Sequence, residues 1–186
     1  RTNMKPTSRE ELGLYLNHLG LKGLGAEVGV AYGHNAKGIL SQWEGSGLFL
    51  IDPYSLSACG TYIDGSANID FDKCLYYCRN ELKEFELRAI HIRETSDKAY
   101  ELLQGIQLDF VYIDGNHHNP QITKDLNNYW KLVKPGGLFC GHDYYNLDEP
   151  HYRCEVEDSV NAFLQTITYK EFFTTRDTCT SWYILK

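Results

Sequence analysis

Residues able to do chemistry stand directly after each of five short apolar segments in this chain of 186 residues. Such segments are typical of buried parallel strands, and ligands of open parallel sheets bind beyond the strands' carboxyl ends. The pattern therefore predicts an active-site edge, although any single Asp or Asn could instead cap a helix or form a turn. The five polar segments are Tyr32-Gly33-His34-Asn35, Asp52, Glu94-Thr95-Ser96, Asp114-Gly115-Asn116-His117-His118 and His142-Asp143.

The first segment belongs to a glycine-containing turn that predicts a nucleoside site. Gly29 and Gly33 permit a tight strand-to-helix turn and close approach of a ligand to the backbone. The helix that follows offers free N–H groups to an anion such as a carboxylate. Asp52 ends the second apolar segment, where its carboxylate can accept hydrogen bonds from both hydroxyls of a ribose.

Two common nucleotide-binding patterns are missing from the chain. Ala31 occupies the second glycine position of the dinucleotide pattern G-x-G-x-x-G, and there is no P-loop lysine pattern. These absences disfavour nicotinamide cofactors and nucleoside triphosphates. A nicotinamide reductase is therefore a disfavoured alternative.

Three histidines could supply acid–base chemistry at the predicted edge, because each can titrate near neutral pH. His117 could act as a base or could be a residue at the entry to a helix. His118 precedes the helix cap, which favours a structural role. His142 and Asp143 form a pair at a strand end. A purely structural role in a turn explains such a pair less well than it explains a single residue.

Strands and helices alternate along most of the chain, which predicts a parallel sheet covered by helices on both faces. The last two strands have only a short connection, too short for a parallel crossover, so the final strand should be antiparallel to the one before it. Ser8 with Glu11 predicts a capping box, and Asn119 with Pro120 predicts another helix start. Predicted strands are 26–31, 48–51, 87–92, 108–113, one from 138, 169–174 and 181–185; predicted helices include 7–20, 34–43, 70–85, 96–103 and one after 119.

Composition narrows the class of protein. The length, with 42% hydrophobic and 23% charged residues, predicts one globular domain spanning 1–186, with an N-terminal helix at 7–20 and a core at 25–186. A net charge of −7 disfavours nucleic acid as a partner, and no apolar run approaches the ~20 residues of a membrane span. With no apolar leader segment and no C-x-x-C pair among six cysteines, we expect a cytoplasmic protein with reduced thiols.

Four stretches of the chain carry a family resemblance. They are E-V-G-V-A-Y-G-H-N-A from Glu27, L-I-D-P-Y from Leu50, D-F-V-Y-I-D-G-N-H-H from Asp109, and the run from Asp125 through the Pro-Gly-Gly turn to His142-Asp143-Tyr144. From about residue 25 to 186, the chain resembles class I S-adenosylmethionine-dependent methyltransferases, and most closely the methyltransferase domain 24 family. That resemblance implies a Rossmann-like three-layer α/β sandwich, with a mostly parallel seven-stranded sheet and an antiparallel last strand.

The resemblance also implies roles for individual residues. S-adenosyl-L-methionine is the implied cofactor. In metal-dependent relatives an acid and two following strand-end residues hold a divalent cation, and the positions here suit Mg, Mn, Fe or Zn. A rival hypothesis has no metal, with Asp114 at the methionine end and a histidine acting alone. The implied cofactor residues are Glu27, Gly29, Gly33, Asn35, Asp52, Ser96 and Asp114; the metal set is Asp114, His142 and Asp143; the catalytic set is His117, Asp114, His142 and Asp143.

The implied activity is O-methylation of a small polar molecule such as a sugar, a phenol or a natural product. The alternative is a methyltransferase-like domain without turnover that binds the cofactor or a protein partner. We expect a small-molecule acceptor, no nucleic acid and no membrane partner, and the oligomeric state stays open, with a homodimer among the alternatives. Only segments 55–69 and 144–153 look able to reach over the site, and Tyr32, Tyr54 and Tyr144 are expected at its edge. For Asp125 we expect a buried hydrogen-bonding role.

Overall fold

The computed structural model describes residues 4–55 and 69–186. One of the two predicted covering segments, 55–69, thus falls almost wholly outside the described residues, as does Cys59. The five described cysteines form no disulfide with one another, and four of them are buried. Within the described ranges, none of the helices is long and apolar enough to cross a membrane.

A seven-stranded sheet forms the centre of the molecule, and its spatial order is β3-β2-β1-β4-β5-β9-β8. All neighbouring pairs among the first five strands of that order are parallel, whereas β9 is antiparallel to both β5 and β8. The predicted fold, with its reversed last strand, is confirmed. The strands are β1 (Leu24–Val28), β2 (Gly47–Ile51), β3 (Ala89–Ile92), β4 (Leu108–Ile113), β5 (Val133–Gly141), β6 (Asn146–Glu149), β7 (Tyr152–Glu155), β8 (Glu171–Thr174) and β9 (Trp182–Leu185).

Helices cover both faces of the sheet. They are α1 (Leu12–His18), α2 (His34–Gln42), α3 (Phe71–Glu81), α4 (Ser96–Leu102), α5 (Gln121–Leu132) and α6 (Val156–Leu164), with short 3-10 turns at Arg9–Glu11 and Lys83–Phe85. One hydrophobic core lies under α1, α2 and α3, and the other lies under α4, α5 and α6. Side chains of β4 alternate between the two cores, with Phe110 and Tyr112 in the first and Val111 and Ile113 in the second. The three predicted layers follow from this alternation.

The central strand β4 is buried at all six positions, which explains its nearly unbroken apolar sequence. Its one acid, Asp109, is fully satisfied at the edge opposite the predicted site. The carboxylate accepts a hydrogen bond from Gly23 N at 2.9 Å and pairs with Lys134 Nζ at 2.9 Å. A buried polar group with partners on both oxygens costs little, so this acid is part of the scaffold.

Two predicted helix starts are wrong in detail. Ser8 makes no side-chain cap, and the Glu11 carboxylate instead accepts hydrogen bonds from Thr7 N and Oγ1. Helix α5 begins at Gln121, and the Asn119 side chain does not cap it. A tertiary contact takes that side chain, because Asn119 Nδ2 donates to Ser159 Oγ at 3.1 Å.

Segment 144–153 was predicted only as a covering loop, but it contributes to an antiparallel hairpin. Strands β6 and β7 pair with each other and form a separate two-stranded sheet. All four residues of β6 are exposed, so the strand carries no apolar alternation that could reveal it.

Candidate active site

A cavity of about 850 Å³ lies at the carboxyl ends of β1, β2, β3 and β4. It is lined by most of the site residues expected from the sequence, which are Glu27, Gly29, Asn35, Asp52, Ser96, Asp114 and His117. The remaining three, Gly33, His142 and Asp143, do not line it. Gly33 immediately precedes α2, and Asp143 lies 3.1 Å from both His117 Nε2 and His142 Nδ1.

The turn after β1 requires glycine at two positions. Gly29 has φ +87°, and a Cβ there would overlap the carbonyl oxygen of Asp114. Gly33 has φ +80°, and a Cβ there would crowd the Cys78 sulfur. Because L side chains rarely adopt such backbone angles, both glycines are dictated by the geometry of the turn. The backbone of the turn consequently forms one wall of the cavity.

Asp52 fixes this turn from the end of β2. One carboxylate oxygen accepts hydrogen bonds from Val30 N and Ala31 N, each at 3.0 Å, and the other accepts from Tyr54 N at 2.8 Å. The buried Tyr54 also donates its hydroxyl to Ala31 O at 2.8 Å. Asp52 therefore holds the turn in shape as well as facing the cavity.

Glu27 is a buried acid with one satisfied oxygen. Its side chain is 1% exposed, and Oε1 accepts a hydrogen bond from Asn35 Nδ2 at 2.7 Å. In the part of the chain that the structure describes, Oε2 has no hydrogen-bond partner. Burial raises the pKa of Glu27 to about 8, which the Asn35 hydrogen bond only partly offsets. An acceptor of this kind on a cavity wall is suited to a cationic ligand group.

Ser96 lies at the start of α4, on the wall that α4 shares with α5. Thr95 caps that helix through its hydroxyl, and Tyr129 Oη donates to Ser96 O at 2.8 Å. Asp125, 1% exposed, accepts a hydrogen bond from Gln121 Nε2 at 2.9 Å, so its expected buried hydrogen-bonding role is confirmed.

An acid–imidazole cluster is made by the loop after β4 and the end of β5. The Asp143 carboxylate lies 3.1 Å from both His117 Nε2 and His142 Nδ1. Asp114 Oδ1 is 3.7 Å from His117 Nε2 and 3.9 Å from His142 Nδ1. Asp143 has φ +53°, a strained angle for a residue with a side chain. The four residues expected to be catalytic thus lie together.

Burial and pairing have opposite effects on this cluster. Burial alone would lower the pKa of His117, but hydrogen bonds to Asp114 and Asp143 raise it to about 9. Burial alone would raise the pKa of Asp143, but hydrogen bonds from His117 and His142 hold it well below its usual range. The structure therefore favours an ionised Asp143 beside a protonated His117 at neutral pH.

The cluster also has donor atoms suited to a metal. Three possible ligand atoms lie within 4.8 Å of one another, one each from Asp114, His117 and Asp143. Two carboxylate oxygens and an imidazole nitrogen suit several divalent cations. The set expected from the resemblance contained His142 in place of His117. His142 contacts the same Asp143 oxygen from another side.

Two arginines that sequence reasoning missed line the same cavity. Arg9 Nη1 lies 3.7 Å from Asp114 Oδ2, and Arg153, on β7, pairs with Glu155 at 3.1 Å. Arg9 precedes the segment that carries the resemblance, and Arg153 belongs to the unpredicted hairpin, so no motif marks either one.

The expectations for tyrosines are met in two cases of three. Tyr32 and Tyr54 line the cavity. Tyr144 does not, because its hydroxyl donates to Asn161 Oδ1 at 2.6 Å and its ring packs against Phe172. Its expected position at the ligand edge is therefore wrong.

The reversed last strand, the glycine turn after β1 and the cavity at the strand ends define the fold of a class I S-adenosylmethionine-dependent methyltransferase. A family model described as "Methyltransferase domain", methyltransferase domain 24, matches residues 26–144. The chain belongs to this family. No curated protein matches it in sequence.

Solved structures of similar fold act on different substrates. An O-methyltransferase from Bacillus cereus in complex with SAH has a TM-score of 0.66 at 14% identity, covering 99% of this chain and 83% of that one. A Burkholderia thailandensis 1,6-didemethyltoxoflavin-N1-methyltransferase, with bound substrate and S-adenosylhomocysteine, has a TM-score of 0.60 at 14% identity over 97% and 79%. An rRNA methylase from Streptococcus thermophilus has a TM-score of 0.58 at 9% identity over 98% of each chain. At such identities the likeness concerns the fold alone.

Proposed function

We propose that this protein transfers the methyl group of S-adenosylmethionine to a hydroxyl oxygen of a small polar molecule, such as a sugar, a phenol or a natural product. The observation that carries the proposal is the convergence of Asp114, His117 and Asp143 beside a cavity lined by six of the seven expected cofactor residues. A net charge of −7 argues against an RNA acceptor, because phosphate backbones attract basic surfaces.

The cofactor would lie along the strand ends, with its methionine end near β1 and β4. Oε2 of Glu27, which has no hydrogen-bond partner among the described residues, would accept a hydrogen bond from the methionine ammonium. Asn35 and the start of α2 would bind the carboxylate. Asp52 would bind the ribose hydroxyls, and Ser96 would contact the adenine. Gly29 would let the cofactor approach the turn closely, and Gly33 would keep the turn in shape.

Methyl transfer is an in-line displacement: the acceptor oxygen forms a bond to the methyl carbon as the sulfur–carbon bond breaks. Alignment in a dry cavity can supply up to roughly 7–11 kcal/mol of the barrier reduction. The remaining task is removal of the hydroxyl proton. A free base must be unprotonated, yet the pKa of His117 is raised to about 9 by its acidic neighbours, after burial has lowered it. The cluster is consequently better suited to holding a cation than to free-base catalysis at neutral pH.

We propose that Asp114, His117 and Asp143 hold a divalent metal, with His142 fixing the Asp143 carboxylate. A bound divalent cation would lower the pKa of the acceptor hydroxyl, so that the hydroxyl could release its proton to solvent water before it attacks the methyl carbon. Arg9 faces the outer oxygen of Asp114 and would keep that carboxylate oriented. His117 acting as a base without metal is the competing mechanism.

Two measurements test the proposal. Turnover of methyl-labelled cofactor with a panel of sugars, phenols and catechols, after strong chelation and after return of single metals, tests the activity. Calorimetric titration of the chelated protein with Mn²⁺ tests the site directly. We expect Asp143→Asn to weaken Mn²⁺ binding at least tenfold, and the exposed hairpin variant Asp148→Asn to bind as the wild type does.

The outcomes separate the hypotheses. Full turnover in chelator, with no Mn²⁺ binding, would exclude the metal hypothesis and favour His117 as the base. Cofactor binding with no turnover on any acceptor would instead favour the alternative of a non-catalytic domain.

A further inference from the structure

The positive charge of the cavity wall is concentrated at one end. Among the described residues that line the cavity, only Arg9 and Arg153 are lysines or arginines. Arg9 Nη1 lies 3.7 Å from Asp114 Oδ2. Arg153 pairs with Glu155, whose backbone N–H donates to His117 O at 2.9 Å. Both arginines therefore belong to the end of the cavity that carries the acid–imidazole cluster.

The two arginines differ in how fully their charges are balanced. Arg9 lies near two acids, because its Nε atom is 3.9 Å from Glu10 Oε1 in addition to the contact with Asp114. Arg153 has one acidic partner, since its Nη2 atom is 3.1 Å from Glu155 Oε1. Within residues 4–55 and 69–186, no further hydrogen bond or ion pair engages its side chain. Because a guanidinium carries five N–H donors, most of the donors of Arg153 are available to a ligand.

The hairpin holds the Arg153 guanidinium in a defined position. Arg153 is paired in register with Asp148 of β6, yet its ion pair is with Glu155, two residues along the chain. Glu155 is itself fixed, because its other carboxylate oxygen accepts a hydrogen bond from Asn119 N at 2.8 Å. The Arg153 side chain remains 44% exposed, so a ligand in the cavity can reach it. A planar fork of donors held in this way matches the two oxygens of a carboxylate.

We propose that Arg153 is a specificity-determining residue that binds a carboxylate group of the acceptor. The inference rests on the proposed function, whose substrates it narrows to hydroxylated carboxylic acids such as uronic and phenolic acids. Glu155 already balances part of the guanidinium charge, so a singly charged carboxylate fits better than a doubly charged phosphate. Because the protein has a net charge of −7, an anionic acceptor requires a local cation to offset the overall repulsion. The carboxylate would lie against the hairpin, and the hydroxyl to be methylated would face the acid–imidazole cluster.

The experiment compares matched pairs of acids and amides, which have nearly the same size but differ in charge. The pairs are 3,4-dihydroxybenzoate with 3,4-dihydroxybenzamide, and glucuronate with glucuronamide. Calorimetry with Mn²⁺ and saturating S-adenosylhomocysteine measures their binding, and labelled S-adenosylmethionine measures kcat/KM. We expect the wild type to bind at least one acid about tenfold or more tightly than its amide. Arg153→Gln should reduce that ratio to about threefold or less, and Arg153→Lys, which keeps the charge but not the fork, should give an intermediate ratio. Arg79→Gln removes an exposed arginine of α3 that does not line the cavity and should keep the wild-type ratio.

Each outcome bears on the inference. Equal binding of acids and amides by the wild type would overturn it, as would failure of both acids to bind or a preference that survives in Arg153→Gln. Tighter binding of glucose 6-phosphate than of glucuronate would overturn the assignment of a carboxylate. If Arg153→Gln does not fold, Arg153→Lys replaces it, and a ratio equal to that of the wild type then overturns the inference. Methylation of neutral acceptors without any preference for acids would contradict this inference alone, whereas failure of S-adenosylhomocysteine to bind would overturn the proposed function as well.

Discussion

Burial favours the neutral form of Glu27 as long as no cation lies beside it. Burial raises its pKa to about 8, and the nearby Asp114 and Asp52 carboxylates add to the rise. A methionine ammonium placed against Oε2 would reverse that balance, because an adjacent positive charge favours the carboxylate. Cofactor binding and ionisation of Glu27 are therefore expected to be coupled.

At the residue scale, we predict that binding of S-adenosylhomocysteine at pH 7 releases close to one proton. Calorimetry in two buffers of different ionisation enthalpy measures that number directly. Glu27→Gln should release none and bind at least about tenfold more weakly, since a charge-assisted hydrogen bond is lost. Glu81→Gln, which removes a partly exposed partner of Lys37, serves as the control. A binding enthalpy independent of buffer would contradict the prediction.

The same group predicts a pH dependence of stability in the ligand-free protein. The Glu27 pKa is 4.5 unfolded and about 8 folded, so the folded state retains the proton longer. Its contribution is fully present below pH 4.5 and is lost as the pH rises toward 8, by an amount of up to ~5 kcal/mol. Denaturant unfolding between pH 5 and 8 should show the wild type losing stability relative to Glu27→Gln. Parallel pH profiles for the two proteins would show that Glu27 ionises normally.

At the element scale, the turn after β1 and its anchor Asp52 act as one unit. Asp52→Ala removes three backbone hydrogen bonds as well as the expected ribose contact, so we predict a cofactor affinity lower by ~2–4 kcal/mol. Tyr54→Phe removes the hydroxyl contacts with Ala31 O and Cys78, but keeps all three Asp52 hydrogen bonds, and should cost ~0.5–1.5 kcal/mol. Titration of both variants with S-adenosylhomocysteine checks the order. If both variants lost the same amount of cofactor affinity, the rigidity of the turn would explain the effect and a ribose contact of Asp52 would not be needed.

The hairpin of β6 and β7 holds the loop that carries His117. Glu155 N donates to His117 O at 2.9 Å, and its carboxylate accepts from Asn119 N at 2.8 Å while pairing with Arg153. The hairpin thus connects a cavity-lining cation to the candidate catalytic loop. Under the proposed function we expect the hairpin to act on the acceptor side of the site and Asp52 to act on the cofactor side.

We predict that Glu155→Ala lowers kcat by about tenfold or more and leaves cofactor affinity within about twofold, because small displacements of catalytic groups slow the reaction steeply. Glu149→Ala, in the exposed strand of the same hairpin, should behave as the wild type does. Steady-state kinetics with an accepted substrate, together with cofactor titration, distinguishes the two effects. If Glu155→Ala bound the cofactor more weakly but kept a normal kcat, the prediction would be contradicted, because the hairpin would then act on cofactor binding.

At the scale of the whole molecule, the parts predictable from sequence are those in which burial leaves a pattern. Strand β4 is recognisable because it is buried on both faces, and Asp52 because it ends a buried strand. The hairpin strand β6 is exposed throughout, and Arg9 reaches Asp114 only through the tertiary fold. Neither leaves a periodic signal. The roles of the site residues stay predictions until ligands and metals are tested.

The close packing of Gly29 against Asp114 has a consequence for changing what this protein methylates. Asp114 N donates to Val28 O at 2.7 Å, and there is no room for a Cβ between the turn after β1 and the end of β4. The turn expected to hold the cofactor and the cluster proposed to activate the acceptor are therefore packed directly against each other, and we expect this block to tolerate little redesign. Arg9 and the hairpin approach that block from outside the sheet. New acceptors would be best obtained by exchanging those two attachments while leaving the block untouched.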